Sequence, residues 1–129
     1  MRASSVRTWL LALATAGGLG VTACGGDGGG TACPAIAAAN FNITVTDKAT
    51  GARICDAKVE ATDTTTLEKV TLDVFGGASD CGYSGGFYER PGTFNITVSK
   101  SGYLSQSKTG VQVVKGVCNV MSVQLAFPL

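Results

Sequence analysis

The residues with the most chemical potential are few, and each is short of a partner. Gly82-Tyr83-Ser84-Gly85-Gly86 matches the G-x-S-x-G pattern of a serine nucleophile. That pattern works only on a strand-turn-helix with a histidine base, and the chain has no histidine at all. A Gly-rich surface loop stapled by Cys81 is the expected setting instead. Asp56, Glu60 and Asp63 have the oxygen ligands that calcium prefers, but strand alternation points Glu60 to solvent and puts the other two at the strand ends. A solvated edge is expected, not a metal site. The cysteines lack the C-x₂₋₄-C pairs of a zinc site. Tyr83, Phe87 and Tyr88 cluster after Cys81 and could offer rings to a sugar or a protein. They are the candidate binding residues, with core packing as the competing account. No catalytic residue, metal or cofactor is expected, and the chain reads as no enzyme.

The fifth cysteine has a chemistry of its own. Arg2 and Arg7 precede an apolar stretch from Trp9 to Leu19, a positive start and hydrophobic region of signal-peptide type. The stretch falls short of the ~20 apolar residues that a membrane span requires, and Gly17, Gly18 and Gly20 close it. Val21-Thr22-Ala23-Cys24 then resembles a lipobox. The resemblance implies cleavage after residue 23 and acylation of Cys24. Two or three acyl chains, at about 0.8 kcal/mol per buried CH₂, anchor stably where one is marginal. An ordinary secretory signal is the alternative, but five cysteines cannot all pair, and setting Cys24 aside leaves Cys33, Cys55, Cys81 and Cys118.

The expected organisation is a lipoprotein signal peptide over 1–23, a lipidated Cys24 with a Gly-rich tether over 24–35, and one domain over 36–129. Gly25-Gly26-Asp27-Gly28-Gly29-Gly30 has a flexible linker's composition. From Cys24 onward eight Lys and Arg face nine Asp and Glu. Such near-neutrality leaves no electrostatic footprint for nucleic acid. A domain of this size buries little more than ~60% of its unfolded surface, so two disulfides in an oxidising compartment would matter. Four cysteines allow three pairings.

The elements that must position these groups are strands. Phe41-Asn42-Ile43-Thr44-Val45-Thr46 alternates apolar with polar, as a half-buried strand does. Turn chemistry follows in Asp47-Lys48-Ala49-Thr50-Gly51. Ala57 to Thr62, Val70 to Val74, a short run at Phe87-Tyr88, Phe94 to Ser99, Gly110 to Lys115 and Val117 to Phe127 are the other expected strands. Pro91-Gly92 suits the centre of a type II turn. No helical period is evident. Asn42-Ile43-Thr44 and Asn95-Ile96-Thr97 match a glycosylation pattern but read as strand residues. Some seven short strands with turns between them predict an all-β sandwich.

Ile43-Thr44-Val45-Thr46-Asp47 with Thr50-Gly51, Ile54 to Val59, Pro91-Gly92-Thr93-Phe94 and Ser101-Gly102-Tyr103 resemble the carboxypeptidase regulatory-like family. The resemblance covers about residues 41 to 125 and rests on turn and core positions. It implies a seven-stranded, transthyretin-like Greek-key sandwich, a type common in accessory modules of secreted proteins. Transthyretin-like proteins include a purine-pathway hydrolase, whose histidines and C-terminal motif are missing here. In such sandwiches the first and last strands lie together. This implies pairing of Cys33 with Cys118 and leaves Cys55 for Cys81. Cys55 and the Gly76 to Gly86 excursion depart from the family pattern. The function expected is a lipid-anchored, non-enzymatic binding or display module of a bacterial cell envelope, in the periplasm or at the surface. The bilayer is one partner, and an envelope protein or glycan the other. The alternative is an accessory or carbohydrate-binding subunit of an exported enzyme, or a hydrolase using the 76–90 loop.

Overall fold

The structure, a computed structural model, describes residues 32–129. The expected signal peptide, Cys24 and the Gly-rich tether up to Thr31 lie outside the described residues. What is described is all-β, with no helix, in two sheets of four strands each. The strands are β1 (Phe41–Thr46), β2 (Lys58–Asp63), β3 (Lys69–Thr71), β4 (Asp73–Phe75), β5 (Gly82–Ser84), β6 (Gly92–Ser99), β7 (Gln106–Val113) and β8 (Val123–Pro128). One sheet has the order β4-β5-β1-β8 and the other β3-β2-β6-β7. Hairpins β2–β3, β4–β5 and β6–β7 alternate with passages from sheet to sheet. β1 and β8 run parallel, with Phe41 opposite Val123 and Thr46 opposite Pro128.

Alternation builds the core. Phe41, Ile43 and Val45 of β1 face Phe94, Ile96 and Val98 of β6 across the sandwich, all fully buried, with Val59, Ala61 and Phe127 filling in. Phe41 meets Phe94 edge to face at 5.2 Å between ring centres, an arrangement that adds roughly 0.5–1.5 kcal/mol to area burial. Disulfides fasten the two ends of the sandwich. Cys33 is joined to Cys118 and Cys55 to Cys81, with Cα separations of 5.1 and 5.8 Å.

The strand pattern differs from the sequence expectation in five places, one being the last strand, expected over Val117 to Phe127 and found over Val123–Pro128 because the chain turns around the Cys118 disulfide first. The single strand expected over Val70–Val74 is two, since the chain leaves one sheet after Thr71 and enters the other at Asp73. Leu72 makes the step; it is buried, and its amide donates to the Val59 carbonyl. The run at Phe87-Tyr88 is not a strand; the strand is Gly82–Ser84, inside the segment expected to loop. Three residues between neighbours on both sides cannot display a period, which is why it was invisible. Gly92, at φ 150°, opens β6 opposite Val113 instead of centring a type II turn. β7 begins at Gln106, earlier than Gly110, because edge position leaves its polar first half exposed on both faces. A register shift at Asn95 takes up Gly110, whose amide donates to Asn95 Oδ1.

Candidate functional site

Of the three candidate rings, two belong to the core. Tyr83 on β5 is 2% exposed; its hydroxyl donates to the Ile54 carbonyl at 2.8 Å and accepts the Ala57 amide at 2.9 Å. Burial pushes its phenol pKa upward. Phe87 is buried against Phe94, with the Arg90 guanidinium 4.9 Å from its ring centre. Tyr88 alone meets solvent, at 53% exposure. The Gly76 to Gly86 segment is no free surface loop, because its second half is a strand between β4 and β1.

Tyr88 is held from both sides. The Asn40 amide donates to the Phe87 carbonyl, and its buried side chain donates to the Arg90 carbonyl at 2.7 Å and accepts the Arg90 amide at 3.1 Å. Glu89, in the left-handed region at φ 50°, donates its amide to Ala38 and accepts from Ala38, Asn119 and Val120 through its carboxylate. Those donors, the Ala38 amide first, hold its carboxyl below the usual range. A left-handed non-glycine residue persists only where its surroundings over-determine it, and here four hydrogen bonds do so.

Beside Tyr88 lies a groove of about 280 Å³ lined by Asp73, Phe75, Ser84, Gly85 and Tyr88. Two glycines shape it. A Cβ on Gly82 would come 2.9 Å from Phe75 Cζ, so only glycine lets the ring lie across β5. A Cβ on Gly85 would come 3.1 Å from Tyr88 Oη and 3.2 Å from Asp73 Oδ2. A phenol and a carboxylate thus converge above one glycine, and neither oxygen has a hydrogen-bond partner among the described residues. Phe75, 46% exposed, supplies a second ring. Asp73 and Phe75 went unread in the sequence. Their signal was the alternation of Val70, Leu72 and Val74, which leaves an aromatic residue on the polar face.

The catalytic pattern dissolves in the structure. Ser84 sits in a sheet with its hydroxyl donating to the Phe41 carbonyl at 3.0 Å, and β5 is followed by turns, with no helix behind it. The acidic trio is dispersed: Asp56 pairs with Lys100 at 2.5 Å, Glu60 with Lys58 at 3.4 Å, and Asp63 accepts the Thr65 and Thr66 amides. Those two amides hold the Asp63 carboxyl below the ordinary aspartate range. Among the described residues no three metal-ligating side chains gather. A second, polar depression of about 440 Å³ lies around the Asp56–Lys100 pair with Lys58, Ser99 and Ser101. No ring lines it, and its pair is already satisfied.

Among the described residues no helix is long and apolar enough to cross a membrane. No protein-family model matches the chain, and no curated protein is similar to it.

Proposed function

We propose that this protein is a lipid-anchored envelope lipoprotein whose sandwich is a non-enzymatic binding module, with the Phe75–Tyr88 groove as its ligand site. The observation that carries the groove is the convergence of Tyr88 Oη and Asp73 Oδ2 above Gly85, next to the exposed Phe75 ring. Rings that cover apolar sugar faces, beside a hydroxyl and a carboxylate that take sugar hydroxyls, suit a glycan. The anchor rests on the lipobox ending in Cys24 and on the even set of cysteines left without it. The two disulfides agree with an oxidising compartment outside the cytoplasm.

The finer fold assignment is part of the proposal. A transthyretin-like sandwich of the carboxypeptidase regulatory-like type is supported by β1 lying beside β8, and by β2 and β6 pairing in the opposite sheet. It is supported too by Tyr103 of the Gly-Tyr pair, whose hydroxyl donates to Asp47 Oδ2 at 2.7 Å. Two turns that the family pattern singles out are thereby linked.

The test has two arms. Labelled palmitate should enter the wild-type protein and not Cys24→Ser, since the thiol is the acylation site; equal labelling would end the anchoring claim. Envelope polysaccharide should be retained by the wild type and lost by Tyr88→Ala. Retention unchanged by that substitution removes the groove.

A further inference from the structure

At the end of the sandwich where the described chain begins, the edge beside β7 and β8 is apolar on its outside. Ile36, Val117 and Met121 are 78%, 84% and 61% exposed, and Val114 is exposed beside them. Ala32 to Ala37 is exposed and carries no charge, and Lys115 is the sole charged residue from Val113 to Leu129. Charges at this same end stand across the sandwich on the β2–β3 turn, with Asp63, Glu68 and Lys69, where Arg90 bonds to Glu68, while Asp47, Lys48, Arg53, Asp56, Lys58 and Lys100 crowd the turns and strand ends of the opposite end. Scattered single apolar residues on a surface mean nothing, whereas a contiguous apolar patch marks an interaction site.

This end is built. Cys118, next to Val117, is bonded to Cys33. Asn119 Nδ2 donates to the Ile36 carbonyl at 3.0 Å, and the Glu89 carboxylate accepts from both Ala38 and Val120. The turn between Val114 and Met121 is tight at Gly116, where a Cβ would meet the Asn119 carbonyl oxygen at 2.8 Å. Two separate chain segments thus present their apolar residues from one rigid edge.

We propose that this edge docks on a lipid bilayer, with Ile36, Val117 and Met121 in the interfacial layer and Lys115 at the level of the headgroup phosphates. The inference rests on the lipoprotein reading and deepens it. Chain length names the occupant. Cys33 is nine residues beyond Cys24, which caps their separation at about 30 Å whatever path the backbone takes. An acylated Cys24 therefore keeps Val117, one residue from Cys33's disulfide partner, within reach of the bilayer surface. Tethering makes docking an intramolecular event, so an edge of modest intrinsic affinity suffices. The opposite end, with Asp47, Lys48 and Lys100, then faces water.

The domain lacks tryptophan, the chain's one Trp being Trp9, so an introduced indole reports alone. Val117→Trp, Met121→Trp and Leu104→Trp are made in the full chain with Trp9→Phe and purified with their lipid. Leu104 is 88% exposed in the turn after β6 and serves as the control. Each is reconstituted into phosphatidylcholine–phosphatidylglycerol vesicles containing lipid brominated near the headgroup end of its chains. Emission from positions 117 and 121 should shift to the blue and be quenched several-fold more than that from 104. Equal quenching at all three positions, in protein that carries palmitate and stays with the vesicles, overturns the docking edge and leaves the anchor standing. Protein that carries no palmitate and washes off overturns both.

Discussion

The side chain of Asn40 closes a two-way clasp on Arg90, its amide donating to the Arg90 carbonyl at 2.7 Å and its carbonyl accepting the Arg90 amide at 3.1 Å. Asn40 is completely buried, so truncation strands two main-chain groups of Arg90. Leaving a buried donor or acceptor unsatisfied costs about 1–3 kcal/mol. Asn40→Ala should therefore lower stability to denaturant by roughly that amount per stranded group. It should also weaken ligand retention beyond what lost folding accounts for, because the clasp brackets Tyr88. Chemical denaturation followed with far-UV circular dichroism checks the first, and binding under fully folded conditions the second.

Tyr83 gives a cleaner case, because Phe fills the same space without the hydroxyl. Tyr83→Phe should cost about 1–3 kcal/mol per stranded group, since the Ile54 carbonyl and Ala57 amide both lose their partner. A smaller aliphatic or polar replacement should cost more, by the cavity left behind. Ligand retention by folded Tyr83→Phe should equal wild type, a result that separates this core tyrosine from Tyr88.

Long alternation was legible in the sequence, and short or interrupted alternation was not. β1 and β6 were readable because each has three buried residues spaced by two. β5 was not, since Gly82, Tyr83 and Ser84 are too few to show a period and resemble a catalytic motif. The sheet change at Leu72 is equally silent, because Val70 to Val74 alternates without a break across it. Of the site, the sequence revealed that rings gather after Cys81. It could not say which ring points inward. That depends on Tyr83 lying opposite Val74 and Ile43 in a ladder whose register is fixed only by folding.

Acid should unfold this domain through carboxylates that the fold keeps ionised. Asp47 is held below its ordinary range by the Tyr103 hydroxyl first, then by the Thr50 and Ala49 amides. Asp63 and Glu89 are lowered by backbone amides. A depressed folded-state pKa contributes stability that is complete above the unfolded value, about 4, and is lost as pH falls through the folded one. The melting temperature should hold from about pH 7 to pH 5 and drop below about pH 4. Tyr103→Phe should melt lower than wild type at neutral pH, with the gap narrowing in acid as Asp47 is protonated. A gap that widens in acid contradicts this assignment.

The disulfides should differ in effect. Cys33 and Cys118 are 85 residues apart and Cys55 and Cys81 are 26 apart. On the loop-entropy account these spans correspond to about 4.5 and about 3.5 kcal/mol. Paired serine replacements should rank in that order in denaturant midpoint. The 33–118 pair should also free the Ile36 segment, seen as faster amide exchange from Ala32 to Ala38, whereas the 55–81 pair should leave exchange there unchanged.

The groove makes the sharpest demand, because its two rings must matter for binding and not for folding. Tyr88 and Phe75 are half exposed, and their loss removes little buried surface. Tyr88→Ala and Phe75→Ser should each move stability by no more than about 1 kcal/mol, within the range of surface substitutions that touch some packing. Binding hot spots, by contrast, are rings whose truncation costs about 2 kcal/mol or more, some 30-fold in affinity. Gly85→Ala adds an independent check. Its φ of +89° disfavours any Cβ, and that Cβ would press on both Tyr88 Oη and Asp73 Oδ2, so it should disturb the groove without touching a ring. Asp73→Asn keeps the shape and removes the charge, and should weaken a ligand that donates hydrogen bonds to the carboxylate. Calorimetric titration of the four variants with fractionated envelope polysaccharide, alongside their melting curves, reads both quantities. Lost binding by Tyr88→Ala and Phe75→Ser and weakened binding by Asp73→Asn at near-native stability, with lost binding by folded Gly85→Ala, supports the groove. Wild-type affinity in Tyr88→Ala and Phe75→Ser, with binding to a protein fraction of the envelope instead, would place the ligand elsewhere on the sandwich.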